Sequence, residues 1–177
     1  MINSRKLMVF IAMSLDGFIA KPNDDLSFLS LVEKPGEDYG YNDFISSIDT
    51  VLMGRKTFDW ITRQYDFPHQ DKKTYVITHS PRPSEGNIQF YDGDLSELVK
   101  SLKSMPGKNI YCDGGASIIH QLLYEKWIDE MIISIIPTLL GNGKKLFPES
   151  IPEMGLQWMS TKSFDTGLVQ LHYQMKR

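Results

Sequence analysis

Short apolar runs alternate with amphipathic helical patterns along most of this sequence. The first run, at residues 7–13, is almost continuously apolar and has the length of a strand, which is typical of a central strand covered on both faces. A later stripe, formed by Ile118, Ile119, Leu122 and Leu123, has the spacing of a helix that packs on one side. Alternation of strands with helices indicates a mainly parallel sheet. The sequence therefore predicts an α/β fold, with helices on both faces of a mixed, mostly parallel central sheet.

The same periodicities predict the remaining elements. Strands are expected at residues 50–53, 74–78, 88–91, 110–112 and 131–140. Helices are expected at residues 44–48, from about Thr57, and after Asp94 as an N-cap. Residues 21–41 are polar and rich in proline and glycine, so they are interpreted as a long loop with one short helical piece. Long loops in compact domains are often functional.

The last part of the chain predicts an antiparallel hairpin. Alternate residues from 169 to 175 are apolar and follow a turn at residues 165–167, as in a strand with one exposed face. Pro137 lies inside the very apolar run 131–140, and because proline cannot donate to a ladder we expect a bulge or an edge position there. The apolar run and the hairpin together predict a homodimer.

Length, charge and cysteine content narrow the class of protein. A chain of 177 residues with 41% hydrophobic residues can bury one core unaided, and no repeat or linker divides it, so residues 1–177 are predicted to form a single domain. The net charge of −3 and the lack of a dense Lys/Arg run argue against nucleic acid as a partner. Cys112 is the only cysteine, and the four histidines lack metal-ligand spacing, so neither a disulfide nor a metal is expected. No apolar stretch approaches the roughly 20 residues of a membrane span. We expect a cytoplasmic protein with a small-molecule ligand.

Two junctions between a strand and a helix have the composition of phosphate-binding sites. At residues 114–117 (Gly-Gly-Ala-Ser), small side chains would let a ligand approach the unpaired N–H groups of a helix start. Residues 54–57 (Gly-Arg-Lys-Thr) repeat this arrangement with two cations and a hydroxyl. Taken alone, the glycine pair favours the alternative of a tight turn between strand and helix. Two such helix starts suit a dinucleotide.

A third segment could complete a nucleotide site. Thr78, His79 and Ser80 end a predicted strand, with Arg82 just beyond, and offer hydroxyls and positive charge for an adenosine 2′-phosphate. The alternative for this segment is an ordinary solvated turn. None of the three segments matches G-x-G-x-x-G or G-x-x-x-x-G-K-[ST], so the sequence supports neither a Rossmann fold nor a P-loop.

Four motifs, in order, carry a resemblance to a known family. They are IAMSLDGFIA at residues 11–20, MGRKTF at 53–58, GGA at 114–116 and PTLLGNGKKLF at 137–147. Through them nearly the whole chain resembles the dihydrofolate-reductase-like proteins, which include the reductase domain of riboflavin-biosynthesis deaminase-reductases. The resemblance implies a three-layer dihydrofolate-reductase-like fold. It also implies NADPH-dependent hydride transfer to a small pterin-like or ribitylaminopyrimidine-like heterocycle, as in a 5-amino-6-(5-phosphoribosylamino)uracil reductase.

The resemblance also implies where the cofactor lies. Ala12 and Ile19 would line the nicotinamide end. The phosphate and adenine contacts would come from Gly54, Arg55, Lys56, Thr57, Thr78, His79, Ser80, Gly114, Gly115, Ala116, Ser117 and Ile118. Arg55 and Lys56 are cationic, and no acidic residue stands beside them to receive a free ribose 2′-hydroxyl. This favours NADPH over NADH.

Asp16 is the predicted catalytic residue. It follows a buried strand, and in the similar riboflavin-type reductases the Ser-Leu-Asp-Gly segment lies at the substrate site, so Ser14 is predicted to contact substrate. A partly buried aspartate could hold a raised pKa and handle a proton. The alternative is that Asp16 and Gly17 simply form a turn.

Further predicted substrate contacts come from the loop that closes over substrate in the similar enzymes. They are Asn23, Leu26 and Phe28, and the alternative is a hydrophobic tuck of a surface loop. The carboxylate that dihydrofolate reductases use would fall near Gly40, and neither Asp38 nor Asp43 can be assigned its role. The motifs of the zinc deaminase domain are also missing from the sequence. An orphan reductase is therefore predicted, and the alternative is a non-catalytic nucleotide-binding or regulatory module.

Overall fold

The computed structural model describes residues 5–80 and 82–176. These described residues form ten strands: β1 (Leu7–Ser14), β2 (Phe18–Ala20), β3 (Ile48–Gly54), β4 (Lys73–Ile77), β5 (Ile88–Tyr91), β6 (Asn109–Gly114), β7 (Glu130–Ile136), β8 (Lys144–Lys145), β9 (Leu156–Ser163) and β10 (Val169–Met175). The α-helices within these residues are α1 (Tyr41–Ser46), α2 (Arg55–Gln64), α3 (Leu95–Ser104) and α4 (Ala116–Tyr124). Two 3-10 helices, Pro22–Asp24 and Ser27–Val32, occupy the predicted long loop.

Eight strands form one sheet in the order β5-β4-β3-β6-β1-β7-β10-β9. The six strands from β5 to β7 are parallel, and β10 pairs antiparallel with both β7 and β9. A separate antiparallel pair, β2 with β8, brings the residues after β1 beside the glycine-rich segment 141–145. The predicted mixed, mostly parallel sheet with a C-terminal antiparallel hairpin is confirmed.

The central strands are covered on both faces, as their apolar runs predict. Along β1, Leu7 and Val9 belong to the cluster beneath α3 and α4, whereas Met8 belongs to the cluster beneath α1 and α2. Leu52 and Met53 of β3 divide in the same way between the two clusters. Because neighbouring side chains of a strand point to opposite faces, a run of apolar residues supplies two cores at once. The three-layer architecture follows.

Several predicted boundaries differ from the structure. Helix α2 begins at Arg55 rather than near Thr57, and Ile48 opens β3 instead of closing a helix. Strand β7 ends at Ile136, so the expected bulge or edge position at Pro137 is wrong. Proline lies just past the strand because it has no N–H to donate to the ladder.

Strand β7 also weakens the argument for a dimer. It lies inside the sheet between β1 and β10, so its apolar character reflects burial within one chain. The hairpin departs from the expected pattern as well, because Gln170, on its polar face, is buried. Its amide Nε2 donates to the carbonyl oxygen of Tyr39 at 3.0 Å and to Ser134 Oγ at 3.1 Å. This polar face is therefore covered at Gln170.

Over residues 5–80 and 82–176, no helix has the length and apolar character to cross a bilayer.

Candidate functional site

Two cavities open where the parallel strands end, and they meet at β1. The larger has a volume of about 1710 Å³ and the smaller about 790 Å³. Phe10, Ile11, Ala12 and Leu29 line both of them. The carboxyl ends of parallel strands in open α/β sheets are the usual place for ligands. Two ligands could therefore lie side by side across β1.

The large cavity faces the N-termini of α2 and α4. Gly54 and Gly115 are the N-cap residues, neither helix has a side-chain cap, and neither carries an acidic residue in its first turn. The first N–H groups of a helix lack partners within it, and the helix dipole adds positive potential at the same place. Both helix starts can therefore receive an anion such as a pyrophosphate.

The two glycine caps allow these helix starts to approach each other. A Cβ atom on Gly54 would lie 3.2 Å from Cγ1 of Ile118, and one on Gly115 would lie 3.0 Å from Oγ1 of Thr57. Each glycine thus packs against a residue of the opposite helix start, with Gly114 and Gly115 joined by a cis peptide bond. The residues present fit a dinucleotide whose phosphates lie between two uncapped helices.

Every predicted cofactor residue lines the large cavity. Ala12 also lines the small cavity, whereas Ile19 lines only the large one. The remaining residues are Gly54, Arg55, Lys56, Thr57, Thr78, His79, Ser80, Gly114, Gly115, Ala116, Ser117 and Ile118. The structure thus brings together four segments that are far apart in the sequence. Occupation of this cavity by a cofactor stays a prediction.

The charges at the predicted adenosine end of the large cavity are more mixed than the sequence indicates. Arg55 Nε lies 2.8 Å from both carboxylate oxygens of Asp59, one helical turn further on. Asp92 and Asp94 also line the cavity. The expectation that no acidic residue stands near Arg55 is therefore wrong, because the helix places residues i and i+4 side by side. Arg82, which the sequence offered as a further positive charge for a 2′-phosphate, packs over the Phe90 ring. Its guanidinium carbon lies 4.1 Å from the ring centroid.

Asp16 is held in a network of hydrogen bonds. Its carboxylate accepts from Ser14 Oγ at 2.5 Å and from the backbone N–H groups of Gly141 and Leu140 at 2.7 and 3.1 Å. These bonds, that of Ser14 first, lower the pKa of Asp16 to about 2. The expected raised pKa is wrong. Gly17, with φ of +88°, completes the turn that the sequence offered as the alternative.

The predicted substrate residues divide between the cavity and the core. Leu26 lines the large cavity. Ser14 is fully buried, and its hydroxyl accepts from the N–H of Phe18 at 3.0 Å. Phe28 is buried in a small apolar cluster, and Asn23 is exposed on the surface. The hydrophobic-tuck alternative therefore describes Phe28, and only Leu26 of this group reaches a cavity wall.

Sequence analysis missed Asp113, the last residue but one of β6, which lines the large cavity. Its Oδ2 lies 3.2 Å from Nε2 of the buried His69, and its Oδ1 accepts a hydrogen bond of 2.7 Å from the Tyr111 hydroxyl. Burial, and after it the charge of Asp113, raises the pKa of Tyr111 well above its ordinary value and that of Tyr41 to about 12. The position of Asp113 beside the glycine pair was the available signal. Nothing local marked His69.

The small cavity is aromatic inside and acidic at its rim. Phe10, Tyr41 and Tyr111 contribute rings to its lining, and the Phe10 and Tyr41 rings meet edge to face at 5.6 Å. Its charged lining residues are Glu33, Lys34, Glu37 and Asp38. None of the described residues that line this cavity belongs to α2 or α4, the two uncapped helices.

The fold and the paired cavities define a dihydrofolate-reductase-like α/β protein. Residues 5–170 match the RibD C-terminal domain family, and the chain belongs to that family. It is 40% identical over 171 residues to the uncharacterized protein YwjB of Bacillus subtilis strain 168, covering 96% of this chain and 97% of that one. The family and its structural relatives are reductase-like.

Solved structures agree with this assignment. A protein from Shewanella sp. PV-4 assigned to riboflavin biosynthesis superposes with a TM-score of 0.87 at 30% identity, covering 97% of this chain and 99% of that one. A dihydrofolate reductase from Enterococcus faecalis, solved with NADP(H), superposes with a TM-score of 0.66 at 18% identity and covers 97% of each chain. The latter likeness concerns the fold alone.

Proposed function

We propose that this protein is an NADPH-dependent reductase that transfers a hydride to a small heterocycle. The observation that carries the proposal is the large cavity, which gathers every predicted cofactor residue and meets a second, aromatic cavity at β1. Enzymes of this kind need two adjoining ligand sites, one for the cofactor and one for the acceptor. The reductase-like family supports the same reaction class.

The cofactor site would bind through its backbone and its cations. The uncapped N-termini of α2 and α4 would hold the pyrophosphate, with Thr57 and Ser117 adding hydroxyls. Lys56 is exposed and, with Arg55 and His79, would contact the 2′-phosphate. Bound NADPH supplies the hydride, so the protein has to orient the acceptor and deliver one proton.

We assign the proton to the pair formed by His69 and Asp113 instead of to Asp16. Asp16 accepts three hydrogen bonds and has a low pKa, which suits an anchor better than a proton donor. Asp113 lines the large cavity and contacts the imidazole of the buried His69, so a carboxylate and a ring nitrogen lie close enough to pass a proton between them. The pair would give a proton to the acceptor nitrogen as the hydride reaches the adjacent carbon, and would then take another from solvent.

Cofactor titration followed by turnover tests this function. NADPH and NADH are added to the purified protein in a calorimeter, and NADPH oxidation is then followed with pterins and ribitylaminopyrimidines as acceptors. The proposal expects NADPH to bind more tightly than NADH and to be oxidised with at least one acceptor. Binding without oxidation would favour the alternative, a non-catalytic nucleotide-binding or regulatory module, and binding of neither cofactor would contradict both. A cytoplasmic location stays a prediction.

A further inference from the structure

We propose that the small cavity binds a planar aromatic heterocycle that carries no phosphate group. This inference rests on the proposed function for the identity of the site, and it narrows the acceptor from ribitylaminopyrimidine-like compounds in general to unphosphorylated ones. The cavity volume of about 790 Å³ lies within the range of sites for drug-sized ligands. Its apolar walls suit the ring of such a ligand, and its charged rim selects against negatively charged substituents.

The walls favour a flat ring. Phe10, Tyr41 and Tyr111 supply aromatic surface, and Leu29 and Ile136 are among the aliphatic lining residues. Aromatic side chains prefer edge-to-face or offset contacts with another ring, and such contacts add to the gain from burying apolar area. Tyr111 also connects this wall to the proton-bearing pair, because its hydroxyl donates to Asp113. A ring bound here would lie next to β1, the strand whose residues line both cavities.

The rim disfavours an anion. Glu33, Glu37 and Asp38 line it, and hydrogen bonds from the N–H groups of Gly40 and Asn42 lower the pKa of the Asp38 carboxyl, which keeps it ionised. A phosphate dianion at this rim would face like charges across short distances.

Lys34 is the one cation among the residues that line this cavity within 5–80 and 82–176, and it is already engaged. Lys34 Nζ lies 2.5 Å from Asp165 Oδ2, and this hydrogen bond raises the pKa of Lys34. A phosphate would have to replace Asp165 as the partner of Lys34 and still approach the rim carboxylates. The phosphate-binding groups of the molecule lie in the other cavity, at the starts of α2 and α4, where the proposed cofactor would occupy them.

Matched ligands that differ by one phosphate test this inference. Riboflavin and flavin mononucleotide form one pair, and neopterin and its monophosphate form another; each is titrated into NADPH-saturated protein and followed by ligand fluorescence. At low salt, at least one ring is expected to bind, and its unphosphorylated form should bind about tenfold more tightly than the phosphorylated form. Added salt should narrow this difference by strengthening binding of the phosphorylated ligand, because screening weakens repulsion.

Charge variants separate repulsion at the rim from a simple lack of space. Glu33 is exposed, so Glu33→Gln and Glu33→Lys change the rim charge with little effect on folding. The preference against phosphate should fall in steps through these two variants, and Asp165→Asn, which releases Lys34, should lower it as well. A preference that is the same in all variants would contradict the charge argument.

The possible outcomes distinguish this inference from the proposed function. Equal or tighter binding of the phosphorylated ligand, or binding of neither ring in the presence of bound NADPH, overturns the inference while the cofactor site stands. The protein could instead bind neither NADPH nor NADH and still bind the unphosphorylated ring in a titration without cofactor. That result overturns the proposed function while the ring site stands.

Discussion

Asp16 joins two segments that are far apart in the sequence. Its carboxylate accepts hydrogen bonds from the N–H groups of Leu140 and Gly141, and Gly141 lines the large cavity. The Ser-Leu-Asp-Gly motif therefore contacts the start of the Gly-Asn-Gly motif through the Asp16 carboxylate. This explains why an aspartate in a turn beside β1 can matter to the site without touching either cavity wall.

Replacing Asp16 by Asn should destabilise the protein in a pH-dependent way. The pKa of Asp16 lies below its ordinary value of 3.8, at about 2, so its carboxylate stabilises the folded state above about pH 4, and this stabilisation is lost as the pH falls towards 2. Denaturant unfolding should show wild type more stable than Asp16→Asn at neutral pH, with the difference shrinking through that window. A difference independent of pH would contradict the role of the charge. Asp43→Asn, at an exposed position, serves as the control.

Replacing Arg55 by Ala should weaken NADPH binding more than NADH binding. A hydrogen bond between charged groups contributes about 1.5–3 kcal/mol, and partial exposure and the Asp59 contact place Arg55 at the low end, so about a tenfold loss for NADPH is expected. Asp59→Asn should have the opposite effect, because it releases the guanidinium. Calorimetric titration measures the dissociation constants of NADPH and NADH for each variant. Equal losses for the two cofactors would place the 2′-phosphate elsewhere.

Replacing Asp113 by Asn should slow turnover while leaving NADPH affinity nearly unchanged. Loss of a group that delivers a proton costs about a hundredfold or more in kcat. The measurement is steady-state oxidation of NADPH with the acceptor that the screen identifies, across a range of pH. His69→Gln should shift the pH profile, because His69 acts through Asp113 as a positioning residue. An unchanged kcat in Asp113→Asn would remove this pair from the mechanism.

At the scale of elements, the helix N-termini differ in whether a side chain caps them. Asp94 caps α3, and its carboxylate accepts a 2.9 Å hydrogen bond from the N–H of Glu97. The caps of α2 and α4 are glycines without any such bond. A capped helix start is satisfied within the chain, whereas an uncapped start can accept an anion. Asp94 lines the large cavity as well, so all three helix starts reach it, and the caps separate the satisfied start of α3 from the two starts that can receive an anion.

Replacing Asp94 by Ala should lower the free energy of unfolding by about 1 kcal/mol, the usual cost of losing an N-cap side chain. Asp94→Asn keeps an oxygen acceptor and should cost much less. Urea unfolding followed by circular dichroism measures both values. If the two variants were equally destabilised, the charge of Asp94 rather than its cap would be the source of stability.

The strands and helix starts could be predicted because their signals are local. Apolar runs and glycines at helix starts are visible in short windows of sequence, and together with the family resemblance they identified residues that line the large cavity. Asp113 and His69 were missed because they meet only when β6 and the loop before β4 pack together. The low pKa of Asp16 also depends on N–H groups that come from the other end of the chain. Contacts of this kind have no local pattern.

At the scale of the whole molecule, β9 forms one edge of the sheet. It pairs with β10 on one side, and its residues Leu156, Trp158 and Met159 are exposed, Trp158 by 63%. An exposed edge strand with apolar side chains is a surface suited to pairing with another chain. The predicted homodimer would therefore use β9, whereas β7 is buried within the sheet.

Replacing Trp158 by Lys should shift a dimer towards monomer, because a charge on the edge strand opposes pairing. Light scattering over a range of protein concentrations measures the mass. Tyr124→Lys, at the end of α4 and 66% exposed, is the matched control and should leave the mass unchanged. A wild-type protein that stays monomeric at every concentration would refute the homodimer.

The position of β1 has a consequence for how the molecule is made. This strand is synthesised before the other strands of its sheet, yet Leu7 pairs with Ile110 and Met8 with Glu130, so its neighbours follow more than 100 residues later. Pairings so distant in sequence form slowly, and an apolar strand that waits for them is prone to aggregate. Because Ile11 and Ala12 line both cavities, neither site exists until β7 has joined the sheet. A nascent chain that has not reached β7 therefore exposes the apolar residues of β1 and lacks part of the wall of each cavity.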